Sequence, residues 1–141
     1  MILDRENAFS QSQALTGTSL VASTDVIDLG SIRQVGIGES LYIVLNFEAE
    51  PGGTSPTITV ALQTDDNAGF SSPATVITYL NALSTPAAST QYVFQIPQQG
   101  LERFIRLAYT QGGTSPTTTV SAHVVHSPQF DVKTASGFTV A

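Results

Sequence analysis

The chain has no cysteine and no tryptophan, and only one methionine. Without cysteine there are no disulfides and no thiolate metal sites, so any stability comes from burial and hydrogen bonding alone. Charge is equally scarce: 11% of residues are Asp, Glu, Lys or Arg, against about a quarter in ordinary globular domains. The surface is therefore made mostly of neutral polar groups. With 5 basic residues against 11 acidic ones, a net charge of −6 and a pI near 4.5, no basic stripe exists to neutralise phosphates, which argues against nucleic acid as a direct partner. No window approaches the roughly 20 apolar residues that a membrane helix needs. The start, MILDRENAFS, mixes charges and is followed by no apolar run, so neither a membrane span nor an export signal is expected. At 141 residues the length suits one domain, burying roughly 65–70% of the surface its unfolded form would expose.

Threonine is abundant where charge is not: 18 residues, more than all the charged residues together. Its β-branched side chain fits a half-exposed pleated strand. The hydrophobic pattern has period two. In the stretch 41 to 48, Leu41, Ile43, Leu45 and Phe47 fall on one face. In 57 to 63, Ile58, Val60 and Leu62 alternate with Thr57, Thr59 and Gln63. Similar runs cover 25 to 29, 74 to 80, 91 to 96, 103 to 109 and 117 to 125, separated by Gly, Pro and Asn turn signals. Residues 101 to 108 also fit a helical template, but the alternation of Ile105, Leu107 and Tyr109 favours a strand. Seven or eight strands and no long helix predict an all-β fold, an antiparallel β-sandwich of jelly-roll type with an extended N-terminal arm.

One sequence returns almost unchanged: GGTSPTITV at 52 to 60 and GGTSPTTTV at 112 to 120. Each copy lies between two alternating runs and reads as the tip of a hairpin. The glycines supply positive φ, and Pro56 and Pro116 fix φ before a returning strand. Two such neutral tips pointing the same way would form a contact surface.

Motifs for chemistry are few. His123 and His126 stand three apart, which on a strand puts them on opposite faces, poorly placed to share a metal or a proton. Asp65-Asp66-Asn67 followed by Gly69 has a calcium-loop flavour, but the carboxylates are adjacent and Val76 stands where an EF-hand needs Glu, so an Asx-rich turn is expected. Gly36-Ile37-Gly38 lacks the third glycine of a dinucleotide fingerprint. Glu48 and Glu50 share a face near a strand end and read as a solvated edge rather than a glycosidase pair. No nucleophile elbow or Ser-His-Asp set stands out, so no catalytic residue, metal or cofactor is expected.

The ends are informative. From Asn7 to Thr24 there is no charge at all, which is unlike a disordered tail. Residues 1–22 are read as an N-terminal arm or a first edge strand, and 23–141 as a single β-sandwich domain. The apolar ending GFTVA suggests a docked C-terminus.

The segments MILDRENAFSQSQALT, STDVIDLG, LYIVLNFE, VALQTDDNAGFSSPATVIT, ERFIRLAY and the FTVA ending, in that order over nearly the whole chain, resemble the capsid cement (decoration) proteins of short-tailed bacteriophages. The resemblance implies a jelly-roll protein made in the host bacterial cytoplasm that binds the exterior of the assembled head. There it would act as a homo-oligomer, dimer or trimer, and bridge neighbouring major capsid proteins. It brings no catalytic residues with it. On this reading Ile2, Leu3, Phe9 and Leu15 of the arm, with Pro56 and Pro116 at the tips, are the expected capsid or subunit interface. The competing reading is a non-catalytic recognition module for carbohydrate or a receptor, on a phage tail. With no tryptophan, and with Tyr42, Tyr79, Tyr92 and Tyr109 inside strands, that reading lacks an obvious aromatic platform.

Overall fold

The computed structural model describes residues 5–30, 39–126 and 128. The fold is an antiparallel all-β sandwich of jelly-roll type, and its organising element is the last strand among the described residues, β8 (Phe104–Val125), 22 residues long. Chain from two other regions runs antiparallel along both of its edges. On one side lie β1 (Ala8–Thr16), β2 (Val21–Ala22) and β3 (Ile27–Asp28), in register from Ala8 opposite His123 to Asp28 opposite Phe104. On the other lie β4 (Tyr42–Phe47), with Tyr42 opposite Val125, and β5 (Gly52–Asp65), ending with Asp65 opposite Phe104. The outer strands are β6 (Ala74–Ser84) beside β5 and β7 (Thr90–Gln95) beside β4.

This one hydrogen-bonded sheet curls over on itself. Ile105 and Val124, near opposite ends of β8, line the same 320 Å³ cavity with Ile27, Leu41 and Ile96. The outer strands then meet: the Tyr79 ring stacks on Phe94 at 4.5 Å, and its hydroxyl donates to the Gln95 carbonyl at 2.9 Å. Inside the curl sit Phe9, Leu15, Ile43, Leu45, Phe47, Ile58, Val60, Leu62, Ile105, Leu107, Tyr109, Val120 and Ala122. Each large apolar side chain fully removed from water contributes about 1.5–3 kcal/mol.

The repeated GGTSP stretches are not hairpin tips. They lie within β5 and β8 and pair with each other, Gly52 opposite Thr117, Thr54 opposite Thr114 and Thr57 opposite Gly112, with register shifts on both sides of Thr54. Both copies take the same unusual backbone: φ is 92° at Gly53 and 49° at Ser55, 101° at Gly113 and 49° at Ser115. The contacts are reciprocal. A Cβ on Gly53 would stand 2.5 Å from the Thr114 carbonyl oxygen, and one on Gly113 would stand 2.7 Å from the carbonyl oxygens of Thr54 and Ser55. Two antiparallel strands must break pleat at the same level, so the same residues solve the same problem from either side.

The break has a measurable effect on side-chain parity. Core residues are odd-numbered before it on β4 (Ile43, Leu45, Phe47) and even-numbered after it on β5 (Ile58, Val60, Leu62). On β8 they switch from Ile105, Leu107 and Tyr109 to Val120 and Ala122. A strand that slipped by one residue would turn its apolar face to water. The irregular stretch absorbs that slip, as a bulge does.

Candidate interaction surfaces and polar clusters

The GGTSP corner is an exposed, uncharged pole. Residues 53–55 and 113–115 are exposed, and so are 16–20 on the segment leaving β1. That segment is tied down by Gly17 N–H donating to the Pro116 carbonyl at 3.1 Å and by Gln111 Nε2 donating to the Gly17 carbonyl at 3.3 Å. It brings a third Gly-Thr-Ser triplet, Gly17-Thr18-Ser19, beside the other two, and Leu20, 52% exposed, follows it. Three letters are too short a repeat to single out in sequence; the ladder from Ala8 to Thr16 along β8 is what gathers them.

The expected interface residues separate into three groups. Ile2 and Leu3 lie outside the described residues. Phe9 and Leu15 are 0% and 1% exposed, packed in the chain's own core, because β1 is bonded along β8 and turns its apolar side chains inward. Pro56 is half-buried and Pro116 buried at the corner, so the Gly, Thr and Ser residues beside them form the outer surface.

Charge collects at the other end of β5 and at the start of β8. Asp65 is 1% exposed, and its two carboxylate oxygens accept from Asn67 N–H at 3.0 Å and Ser72 N–H at 2.8 Å. Asn67 Oδ1 accepts in turn from Gly69 N–H at 2.8 Å, which makes the stretch the Asx-rich turn that its sequence suggests. The backbone donors hold the Asp65 carboxyl below its ordinary value of 3.8, against the opposing effect of burial. Ligand atoms of Asp65, Asp66 and Glu102 come within 4.8 Å of one another. Asp65 already has both oxygens engaged by backbone N–H groups, so its first role is bracing the loop. Arg106 lies over the Phe70 ring at 4.2 Å and donates to Gln63 Oε1 at 2.9 Å. Burial lowers its pKa and Asp65 raises it. Further out, Arg103 grips Asp28 through two bonds of 2.9 Å, an exposed pair that raises the guanidinium pKa.

The histidines are not brought together for joint chemistry. His123 is 7% exposed, with Nδ1 lacking a hydrogen-bond partner. Burial pushes its pKa below 6.5, with Glu48 opposing. His126 is exposed beyond the end of β8 and pairs with Glu39. Glu48 accepts from Ser121 Oγ, which itself accepts from Ser12 N–H at 2.8 Å, and Glu50 accepts from Ala88 N–H at 3.3 Å. Both glutamates therefore tie neighbouring segments in place.

Where β6 meets β7 a row of rings closes the curl: Phe47 edge-on to Tyr92 at 6.0 Å, Tyr92 stacked on Phe94 at 5.9 Å, and Phe94 on Tyr79. Burial raises the Tyr79 phenol above its ordinary value of 10.0. Beside the rings an open groove of about 550 Å³ is lined by Ile77 and by Gln95 to Gln99.

The solved chains similar to this one include two from a virus. One, from a structure of infectious bursal disease virus Gt strain, matches over 87% of this chain and 33% of its own, with 16% identity and a TM-score of 0.43. The other, from the Gx strain, matches over 87% and 32%, with 15% identity and a TM-score of 0.39. The chain thus spans about a third of the length of these chains. No curated protein sequence matches it. A family match covers most of the sandwich, from Phe9 to Val124: on residues 9–124 the chain belongs to the Bbp16 family.

Proposed function

We propose that this chain is a virion structural protein, a non-catalytic capsid cement that binds the exterior of the assembled head and bridges major capsid proteins. The ordered likeness of six segments to the cement proteins of short-tailed phages carries the reading, and the Bbp16 match spans the same sandwich. The geometry suits the task. Side chains that could attract chemistry instead brace loops: Asp65 holds two backbone N–H groups, and Glu48 and Glu50 hold Ser121 and Ala88. The corner offers a rigid neutral pole of small residues, which lose little rotamer entropy when covered. A protein that binds the assembled shell and not its free subunits stabilises the shell by mass action, by about 2.7 kcal/mol per site at a hundredfold excess over its Kd. Repetition over a lattice multiplies that effect.

The recognition-module alternative has weaker support, because Tyr79, Tyr92 and Phe94 stack on one another rather than offering free faces to a sugar. Co-sedimentation with stripped, expanded heads and with unexpanded proheads tests the proposal. Saturable binding to expanded heads is expected, and no binding to either particle would overturn it in favour of the recognition module.

A further inference from the structure

The two ends of β8 come together at the end of the curl far from the GGTSP corner, around the 320 Å³ cavity. Its apolar walls are Ile27, Leu29, Leu41, Ile96, Ile105 and Val124. Ile96 and Ile105 are buried, but Ile27, Leu29, Leu41 and Val124 are only half-buried, so part of their apolar surface stays in water. Asn7 and Asp28 complete the lining, and Asp28 is already engaged by Arg103. Protein interiors hold few voids larger than a water, because side chains lining a void forfeit dispersion contacts. A cavity with these walls suits one large apolar side chain.

The chain carries such a side chain close by. Val124 is a wall of the cavity, and β8 ends one residue later. His126 is exposed and pairs with Glu39, two residues before the wall residue Leu41. Pro128 is half-buried, so the chain leaving β8 is still against the body of the sandwich there. The continuation QFDVK, residues 129–133, lies outside the described residues. Its sequence has period two, with Phe130 and Val132 on one face and Asp131 and Lys133 on the other. Phe130 is the first large apolar residue after Val125, and the five residues between them reach up to about 18 Å when extended. From this we infer that residues 129–133 dock back on their own sandwich, with the Phe130 ring seated in the cavity and Asp131 and Lys133 turned to water. A connection this short holds Phe130 at a roughly millimolar effective concentration, which selects it as the occupant over a second copy or a separate protein. Burial of one large apolar side chain favours the docked form roughly 10- to 100-fold. The inference is independent of the cement reading.

The test uses fluorescence of the full chain. Because the protein has no tryptophan, Phe130→Trp introduces a single reporter. Its emission is expected to be blue-shifted from that of the urea-unfolded protein and shielded from acrylamide, equally at low and high protein concentration. Lys133→Trp, on the other face of the same segment, is the control and should emit to the red and be freely quenched. Adding Ile27→Asp, at a half-buried wall, to Phe130→Trp should weaken docking about tenfold or more and bring quenching towards that of the control. Ile27→Ala is a milder change that should move quenching in the same direction, and a urea melt of each variant checks that the sandwich is folded. A tryptophan at position 130 as exposed as the one at 133 would overturn the inference. So would burial that ignores both changes at Ile27, or burial that appears only at high protein concentration, which would give the cavity to a second copy. A Phe130→Trp chain with an exposed reporter that still binds expanded heads would sink this inference and leave the cement reading standing, and a shielded reporter in a chain that binds no head would do the reverse.

Discussion

The corner interrupts the β5–β8 pairing and the Asp65 turn ends it, by different physics. At the corner the backbone leaves the pleat through positive φ at Gly53, Ser55, Gly113 and Ser115, with no charged side chain between 107 and 125 or between 51 and 64. At the other end, Asp65 gathers the N–H groups of Asn67 and Ser72, and Arg106 lies nearby over Phe70. One irregularity is held by the absence of side-chain atoms, the other by a buried carboxylate. The first should therefore be sensitive to shape and indifferent to pH, and the second the reverse.

The largest effect is expected at Gly113. Alanine there combines a φ of 101° with a Cβ 2.7 Å from two backbone oxygens, and should cost more than about 3 kcal/mol in urea unfolding, equally at pH 5 and pH 8. Gly100 is the matched control: φ is 82°, with nothing within 4 Å of the added carbon, so Gly100→Ala should cost only about 1 kcal/mol. Equal losses at the two sites would remove the close approach from the account.

Asp65→Asn is expected to come next, lowering the melting temperature at pH 7. Its folded-state pKa lies below 3.8, so the stability it contributes is present above that value and lost as pH falls through the folded pKa. The gap between wild type and Asp65→Asn should close in the same window. A gap that persists at lower pH would mean the carboxylate charge is not what braces the turn.

His123 has the weaker pH signature. Its pKa is depressed below 6.5 by burial, so the unfolded chain takes up the proton first and stability falls as pH drops from about 6.5 towards the folded pKa. His123→Phe should flatten that part of the stability curve, and an unchanged slope would assign it to another group. Smallest of all is Arg103→Ala. Its partner Asp28 is exposed, and such pairs contribute little and are screened by salt, so thermal melts at low and high salt should nearly coincide with those of the wild type.

Much of the sandwich was legible from alternation alone. Ile43, Leu45 and Phe47, and Ile58, Val60 and Leu62, point inward as their spacing predicts. What misled was GGTSP: two glycines and a proline between alternating runs carry the same local signal whether the chain reverses or only breaks pleat. The difference lies in the pairing of 52 with 117 and of 57 with 112, which is long-range and invisible to local rules. The same limit left residues 1–22 readable either as an arm or as a first edge strand. Nothing in FSQSQALT says that Phe9 and Leu15 are core rather than contact residues until β8 is placed beside them. Parity gave a clue in retrospect, since the odd-to-even switch across each GGTSP fits one continuous strand with a break. The Asx turn, by contrast, was legible because its bonds are local.

The claim that this sandwich cements a capsid is tested most directly by rupture. Expanded heads stripped of the protein would be heated with increasing amounts of it added back, and DNA release followed. The account predicts a saturable rise in rupture temperature, absent when unrelated β-sandwich protein is added. A rupture temperature that does not move at saturating protein would contradict it.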